Sequence, residues 1–247
     1  MTAPLLLIHG FTGSSASWDA VKRELASPAT LVSPLGHGGG DTLEASVRNW
    51  DDELRRLVAA FPAERVHLVG YSLGARLALG IALTYPHHVE RVTLLSGHTG
   101  LATDAERRER RAADARWCSL LEAEGVEGFV NAWEAQPLFA SQQSLPAGVR
   151  ADHRAHRLRH DAEGLTRSLR VTGLAEMPDY APQLALLTMG VTVMAGELDP
   201  KFLALGRATS ERVRDSRFVV APGAGHDLLL ERPDLVALVL REPTQKP

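Results

Sequence analysis

The 247-residue sequence has few of the features that mark secreted, membrane-bound or nucleic-acid-binding proteins. It contains one cysteine, Cys118, which excludes an internal disulfide and a cysteine-based zinc site. No apolar run reaches the roughly 18 residues of a membrane-spanning helix, and no basic start with a long apolar region suggests a secretory leader. The 27 lysines and arginines are outnumbered by 30 acidic residues, so no basic excess favours nucleic acid. We therefore expect a cytoplasmic protein that binds neither nucleic acid nor a membrane.

What the sequence does contain is a regular alternation of short apolar runs and helical patterns. Hydrophobic residues make up 45% of the chain, which is ordinary for a globular domain of this length. Buried strands are predicted at residues 5–8, 30–33, 66–69, 92–96, 191–195 and 218–220. Helices are predicted between and after them, at residues 14–25, 43–60, 73–84, 202–213 and 233–240. Strands that alternate with helices in this way form a parallel, doubly wound sheet.

The alternation is interrupted once, near the middle of the chain. Residues 97–182 contain no convincing strand. Their patterns instead predict helices over 104–124, 126–135, 146–159 and 162–171. We therefore predict an α/β core built from residues 1–96 and 183–247, with residues 97–182 inserted as a helical cap. Because an apolar strand begins almost at once, at Leu5, we also expect a mostly parallel sheet without an N-terminal hairpin.

The segment 70–74, Gly-Tyr-Ser-Leu-Gly, lies between a predicted buried strand and an alanine- and leucine-rich helix. A Gly-x-Ser-x-Gly turn in this setting raises the serine hydroxyl above the sheet edge, at a helix N-terminus that favours an oxyanion. An ordinary turn with a capping serine is the alternative for Ser72. A His-Gly-Phe turn follows the first strand, and such a turn supplies a backbone N–H in serine hydrolase folds. We therefore predict an oxyanion hole formed by the backbone N–H groups of Phe11 and Leu73.

Ser72, Asp199 and His226 occur in the order nucleophile, acid, base. Each follows the end of a predicted strand, at the edge where parallel sheets place their ligands. Taken alone, Asp199 could be a turn or capping residue, and His226 could be an ordinary loop residue. Together with Ser72 they match the chain order of the α/β-hydrolase triad. We therefore predict that His226 accepts the serine proton, while Asp199 orients the imidazole and stabilises its charged form.

No pattern of metal ligands accompanies this triad. His153, His156 and His160 have helical spacing, but no carboxylate pattern completes a known motif and arginines surround them. A basic helix face, turned toward an anionic substrate or toward solvent, is the interpretation that we favour. From these residues we expect no metal site.

Several segments outside the triad distinguish between families of this fold better than the triad does. One is Arg76, which follows the Gly-x-Ser-x-Gly turn. The others are Gly-His-x-Gly-Leu at 97–101, a tryptophan at 133 followed by Gln-Pro-x-Phe at 136–139, and Gly-Glu-x-Asp-x-Lys-Phe at 196–202. With them, nearly the whole chain resembles the 2-succinyl-6-hydroxy-2,4-cyclohexadiene-1-carboxylate synthases of menaquinone biosynthesis. The resemblance implies an α/β-hydrolase fold that serves a reaction other than hydrolysis.

The resemblance implies that pyruvate is eliminated from 2-succinyl-5-enolpyruvyl-6-hydroxy-3-cyclohexene-1-carboxylate, which leaves a cyclohexadiene. In this family the serine, activated by histidine, is thought to act as a base on a carbon acid, and no cofactor is needed. The resemblance assigns substrate binding to three arginines and two aromatic residues, namely Arg76, Arg110, Arg157, Tyr71 and Trp133. Arg107 and Arg159 are the alternatives for the two later arginines, because dense arginine runs leave the alignment open by one helical turn.

Two other functions remain open. The first is a carboxylesterase or C–C hydrolase with the same triad, but a neutral substrate would have little use for several buried cations. The second is a non-catalytic ligand-binding protein on this fold, which would not need an intact triad. For the favoured function we expect a small anionic substrate as the partner, and a monomer or small homo-oligomer.

Overall fold

A six-stranded sheet forms the centre of the protein, which we describe from a computed structural model at residues 3–25, 27–38 and 42–242. The strands are β1 (Leu5–Ile8), β2 (Ala29–Val32), β3 (Val66–Tyr71), β4 (Val89–Leu95), β5 (Gly190–Gly196) and β6 (Ser216–Ala221). They pair in the order β2-β1-β3-β4-β5-β6, and all five pairings are parallel. The predicted core segments also include residues 1–2, 26, 39–41 and 243–247, which lie outside the described residues.

Helices cover both faces of this sheet because its strands are apolar on both sides. The α-helices are α1 (Asp19–Leu25), α2 (Trp50–Ala59), α3 (Leu73–Thr84), α4 (Asp104–Glu134), α5 (Ala147–Arg157), α6 (Ala162–Thr172), α7 (Pro200–Arg212), α8 (Leu228–Glu231) and α9 (Pro233–Arg241). Alternate residues of β1 belong to different clusters: Leu6 packs with α2 and α3, whereas Leu7 packs with α1 and α9. The predicted α/β class with a parallel, doubly wound sheet is confirmed.

One predicted helix is wrong. Residues 43–60 do not form a continuous helix, because a 3-10 helix at Thr42–Ser46 ends before α2 begins at Trp50. Asn49 stops the helix from extending toward the N-terminus, since its backbone is extended (φ −150°, ψ 176°). Its side-chain oxygen accepts a hydrogen bond from the backbone N–H of Asp52 at 2.9 Å, which is the geometry of a helix N-cap.

Residues 97–189, all of them described, contain no strand and carry α4, α5 and α6, which we call the inserted helices. Gly125 breaks α4 with φ 65° and ψ −168°, at the point where the sequence predicts one helix to end and another to begin. The apolar side of α6 packs on α4 around Phe129, Leu165 and Leu169. Within the described ranges, none of the helices combines the length and apolar character that crossing a bilayer requires.

Candidate active site

Ser72, His226 and Asp199 meet at the carboxyl end of the sheet. Ser72 Oγ lies 3.0 Å from His226 Nε2, and His226 Nδ1 lies 2.8 Å from Asp199 Oδ2. His226 and Asp199 are buried, with 3% and 5% of their surfaces exposed. Because Nδ1–H donates to the carboxylate, the neutral ring keeps Nε2 free to accept the serine proton. The structure thus brings together the three residues predicted for the triad.

Two glycines allow the sharp turn that holds Ser72. The serine has φ 51° and ψ −106°, between the end of β3 and the start of α3. A Cβ at Gly70 would lie 2.1 Å from the carbonyl oxygen of Gly74, and a Cβ at Gly74 would lie 2.2 Å from that of Ile8. Any larger side chain would therefore push α3 away from β1 and β3, which explains the Gly-x-Ser-x-Gly pattern physically.

The loop after β1, predicted to supply one oxyanion donor, is fixed through the peptide groups of Thr12. Thr12 has φ 63°, and its N–H donates to His37 Nε2 at 3.1 Å. Its carbonyl oxygen accepts from His160 Nε2, in the inserted region, also at 3.1 Å. Burial lowers the pKa of His37 well below its ordinary value, so its Nε2 stays an acceptor. Phe11 and Leu73 both line the space beside Ser72.

A cavity of about 960 Å³ opens above Ser72. All the residues predicted for the site line it: Ser72, Asp199, His226, Phe11, Leu73, Tyr71, Arg76, Arg110, Trp133 and Arg157. The alternatives Arg107 and Arg159 are not among the residues of its wall. Within the described ranges, no group of three or more His, Cys, Asp or Glu side chains is placed to hold a metal ion.

Arg76 forms no ion pair with any carboxylate in the part of the chain that the structure describes. One of its guanidinium nitrogens donates to the carbonyl oxygen of Thr172 at 2.9 Å, and no described carboxylate lies within 4.0 Å. Burial, and then the nearby Arg110, lower the pKa of Arg76 to about 9. Arg110 itself donates from Nε to both carboxylate oxygens of Asp114, at 2.9 and 3.0 Å. Of these two neighbouring guanidinium groups, only that of Arg110 is therefore paired with a carboxylate, that of Asp114.

Arg157 is the most enclosed of the three arginines predicted to bind substrate, with 4% of its side chain exposed. It pairs with Glu134 at 3.0 Å, and its guanidinium carbon lies 5.2 Å from the centre of the Phe139 ring. The other oxygen of Glu134 pairs with Arg154 at 2.8 Å. Glu134 is thus shared between a cavity arginine and an outer one, so it neutralises neither completely.

Comparison with known proteins identifies the family. The model of the α/β hydrolase fold family matches residues 3–233. The 2-succinyl-6-hydroxy-2,4-cyclohexadiene-1-carboxylate synthase of Escherichia coli O1:K1 is 33% identical over 233 residues, which are 93% of this chain and 88% of that protein. A Bacillus subtilis (strain 168) protein that carries this name provisionally is 34% identical, over 96% of this chain and 89% of that one. The chain belongs to this synthase family.

Solved structures agree with the sequence relatives. The structure of MenH from S. aureus matches with a TM-score of 0.89 at 26% identity, covering 97% of this chain and 92% of that one. A thermophilic esterase from Thermogutta terrifontis shares the fold, with a TM-score of 0.75 at 23% identity over 98% of this chain and 89% of that one. The family assignment confirms the resemblance found in the sequence.

The arginine-rich start of α4 divides into two kinds of residue in this synthase-family chain. Arg110 faces the cavity, whereas Arg107 turns away from it and holds the backbone. The guanidinium of Arg107 donates to the carbonyl oxygens of Leu101, Ala175 and Met177, at 2.9, 3.0 and 2.7 Å. It therefore ties the start of α4 to the segment that leads back to the sheet.

Two residues that hold His226 in this synthase-family site escaped prediction. Ser96, with φ 49°, donates from Oγ to the carbonyl oxygen of His226 at 2.9 Å. Glu231 accepts from the backbone N–H groups of Gly225 and Asp227, at 2.7 and 3.2 Å, on either side of the histidine. Ser96 is the last residue of the predicted strand 92–96, and a polar residue at that end of a buried strand was a signal that could have been used. The sequence offers no comparable signal for Glu231.

Proposed function

We propose that this protein eliminates pyruvate from 2-succinyl-5-enolpyruvyl-6-hydroxy-3-cyclohexene-1-carboxylate, forming 2-succinyl-6-hydroxy-2,4-cyclohexadiene-1-carboxylate for menaquinone biosynthesis. The observation that carries the proposal is Arg76, a cavity cation one helical turn beyond Ser72 with no carboxylate partner among the described residues. An enclosed charge without a partner is costly, so the site is built for an anion that completes it. A substrate with several carboxylates supplies such an anion, and a neutral ester does not.

The chemistry uses the triad as a base. His226 draws the proton from Ser72, whose oxygen takes the acidic ring proton of the substrate, while Asp199 stabilises the imidazolium. The electrons of that C–H bond form a double bond from the deprotonated carbon to its neighbour, the existing ring double bond shifts by one position, and the C–O bond to the enolpyruvyl group breaks. The leaving enolate takes the proton from His226 and becomes pyruvate, so protons and electrons balance. The N–H groups of Phe11 and Leu73 stabilise negative charge that develops on a substrate oxygen.

The substrate-binding roles belong to the same proposal. Arg76, Arg110 and Arg157 bind substrate carboxylates, and Tyr71 and Trp133 complete the pocket wall. Residues 97–182 act as a cap on a core formed by residues 1–96 and 183–247. In support, α3 supplies one of these arginines, whereas two of the inserted helices supply the others. Arginine suits this work because its planar fork pairs with a carboxylate through two parallel hydrogen bonds.

The test is to incubate the purified protein with the cyclohexene precursor and to measure pyruvate with a coupled dehydrogenase. We expect one pyruvate for each cyclohexadiene formed, and no pyruvate from the matched Ser72→Ala variant. If the wild-type protein hydrolyses small neutral esters but releases no pyruvate, the synthase proposal is wrong and the esterase function takes its place.

A further inference from the structure

The turn after β4 places His98 in the wall of the cavity, and the mechanism above gives this residue no role. His98 lines the cavity together with Arg76, Arg110 and Lys201. Its ring lies edge-on to the ring of Phe202, with 6.5 Å between the centroids, and Phe202 packs on His226 at 4.4 Å. One aromatic ring therefore separates His98 from the catalytic base.

The hydrogen bonds of this turn determine which nitrogen of His98 carries the proton. The backbone N–H of Gly100 donates to His98 Nδ1 at 3.0 Å, so Nδ1 is the acceptor and the neutral ring is protonated at Nε2. Gly100 has φ 108°, and a Cβ there would lie 2.2 Å from the carbonyl oxygen of Pro178, so the turn needs glycine and is held firmly. Burial, then Lys201, Arg76 and Arg110, lower the pKa of His98 to about 4. The ring is therefore a neutral hydrogen-bond donor near pH 7.

The Nε2–H group of His98 is available to a ligand. In the part of the chain that the structure describes, no protein group accepts a hydrogen bond from it. This nitrogen is also not among the polar atoms that are sealed inside the protein without a partner. Since His98 forms part of the cavity wall, its free N–H group is open to the cavity.

The charges around this N–H group favour an anion. Lys201 has no carboxylate within 4.0 Å among the described residues, and its ammonium lies 5.6 Å from the centre of the Phe202 ring. Asp114 acts on Arg76 and Glu106 acts on His98 through their charges, while Asp199, which pairs with His226, also lines the cavity. Asp114 is held by Arg110, and Glu106 accepts from the hydroxyl of Thr103 at 2.9 Å. Arg76 and Lys201 therefore remain without a carboxylate partner beside a free hydrogen-bond donor.

We propose that His98 binds the substrate directly, with its Nε2–H donating a hydrogen bond to a substrate carboxylate that Arg76 and Lys201 hold by charge. We call these three residues the His98 subsite. The inference rests on the proposed function, because it identifies a further contact within that site. It also gives a role to the Gly-His-x-Gly-Leu turn and to the lysine of the Gly-Glu-x-Asp-x-Lys-Phe segment.

Two substitutions at this position separate binding from support of the turn. In His98→Asn the amide oxygen takes the place of Nδ1 and accepts from Gly100, but nothing replaces the Nε2–H donor. In His98→Gln the amide nitrogen reaches the place of Nε2, but the acceptor for Gly100 is lost. We expect His98→Asn to lower kcat/KM about tenfold or more, mainly through KM, with an unchanged Tm, because a hydrogen bond to a charged group is lost. His98→Gln should retain most of the wild-type kcat/KM.

The opposite order, with His98→Asn active and His98→Gln impaired, would show that the ring only supports the turn and would overturn the inference. A second measurement does not depend on turnover: succinate is titrated into protein labelled with ¹⁵N-histidine. We expect the Nε2 resonance of His98 to shift, and the shifting signal to be absent from His98→Asn. If the wild-type protein makes pyruvate and His98→Asn matches its kcat/KM, only this inference fails. If the wild-type protein makes no pyruvate, the synthase proposal fails. If succinate shifts the resonances of other histidines but leaves that of His98 unchanged, the His98 subsite is overturned as well.

Discussion

At the scale of single residues, the contact between Ser72 and His226 makes a direct prediction. Their 3.0 Å separation is short enough for proton transfer within the active complex. Ser72→Ala and His226→Ala should each lower kcat for pyruvate release on the order of 10³-fold or more, because members of a triad act as a unit. Steady-state kinetics measure the loss, and thermal unfolding of each variant checks that the fold persists. Near-normal turnover in Ser72→Ala would contradict the assignment of the base.

The cavity arginines make a second prediction at this scale. Arg110→Ala and Arg157→Ala should each weaken transition-state binding of the anionic substrate by roughly 2–5 kcal/mol, as truncation of one partner of a buried charge pair does. Arg157→Lys should recover part of the loss, because an ammonium cannot reproduce the bidentate fork. The control is Arg159→Ala, which removes an exposed arginine that does not line the cavity.

Comparing two substrates distinguishes this loss from damage to the site. A small neutral ester never meets the arginines, so its hydrolysis, if detectable, should keep its kcat/KM in both alanine variants. Equal losses on both substrates would indicate that the cavity has collapsed. An unchanged kcat/KM for the anionic substrate would remove the main support of the synthase proposal.

At the scale of elements, the break in α4 carries a prediction of its own. Gly125 has a backbone conformation that is essentially restricted to glycine, although no atom crowds the position where a Cβ would lie. Gly125→Ala should therefore lower the free energy of unfolding by about 1–3 kcal/mol, as measured by urea denaturation. Gly125→Ala should also raise KM, because Gly125 lies between Arg110 and Trp133 in α4 and its break fixes how these two cavity residues are oriented toward each other.

The matched control is Gly148→Ala, an exposed helical glycine of α5 with open space around its Cβ position. Alanine is the better helix former, so this variant should keep or raise the free energy of unfolding by up to about 1 kcal/mol. A similar loss in both variants would show that the conformation of Gly125 is not the cause.

The contrast between α4 and α2 shows what the sequence can predict about elements. The end of one helix and the start of the next were predicted around residue 125, because glycine has a strong local effect on helices. The helix predicted over residues 43–60 was wrong, because its apolar spacing continues through the segment where Asn49 caps α2. Apolar periodicity depends on burial, whereas a cap depends on one side chain and one backbone N–H group. A polar residue inside a periodic run therefore has to be weighed as a possible end of the helix.

At the scale of the whole molecule, buried histidines link stability to pH. Burial lowers the pKa of His9 to about 4 and that of His67 to about 3. The unfolded chain, with histidine pKa values near 6.5, therefore binds more protons than the folded protein between pH 6.5 and about 4. Each of these histidines stabilises the fold above pH 6.5, and the contribution is lost as the pH falls through this window. At pH 5 the loss is about 2 kcal/mol for each group.

His67 allows a clean test, because it lies near the start of β3, at the end of the sheet away from the cavity. Its ring nitrogen lies 2.9 Å from the hydroxyl oxygen of Thr93. Urea unfolding at pH 7.5 and pH 5.0 should show a pH dependence that is smaller by about 2 kcal/mol in His67→Gln than in the wild-type protein. His87→Gln, at an exposed position, is the matched control. An equal pH dependence in His67→Gln and the wild-type protein would contradict the linkage.

The whole site was less predictable than the triad within it. Ser72, Asp199 and His226 each follow a strand, so strand order alone brings them to one edge of the sheet. The residues that hold them in place follow no such rule. Ser96 lies 130 positions from the histidine that it supports, and His160 lies 148 positions from Thr12. Contacts of this kind depend on how the inserted helices meet the sheet, which local patterns do not encode.

Three residues described above, Thr12, Ser72 and Ser96, are the non-glycine residues with positive φ in the described part of the chain, and all lie at one end of the sheet. Such a conformation costs an L-amino acid roughly 1–2 kcal/mol. Together these three conformations cost a substantial part of the free energy of unfolding of an ordinary domain, which is about 5–15 kcal/mol. The simplest stabilising substitutions, to glycine at these positions, therefore either remove the hydroxyl of Ser72 or loosen the turns beside it. Selection for heat resistance alone would favour inactive variants, so thermostable forms of this enzyme have to be sought by screening activity and stability together.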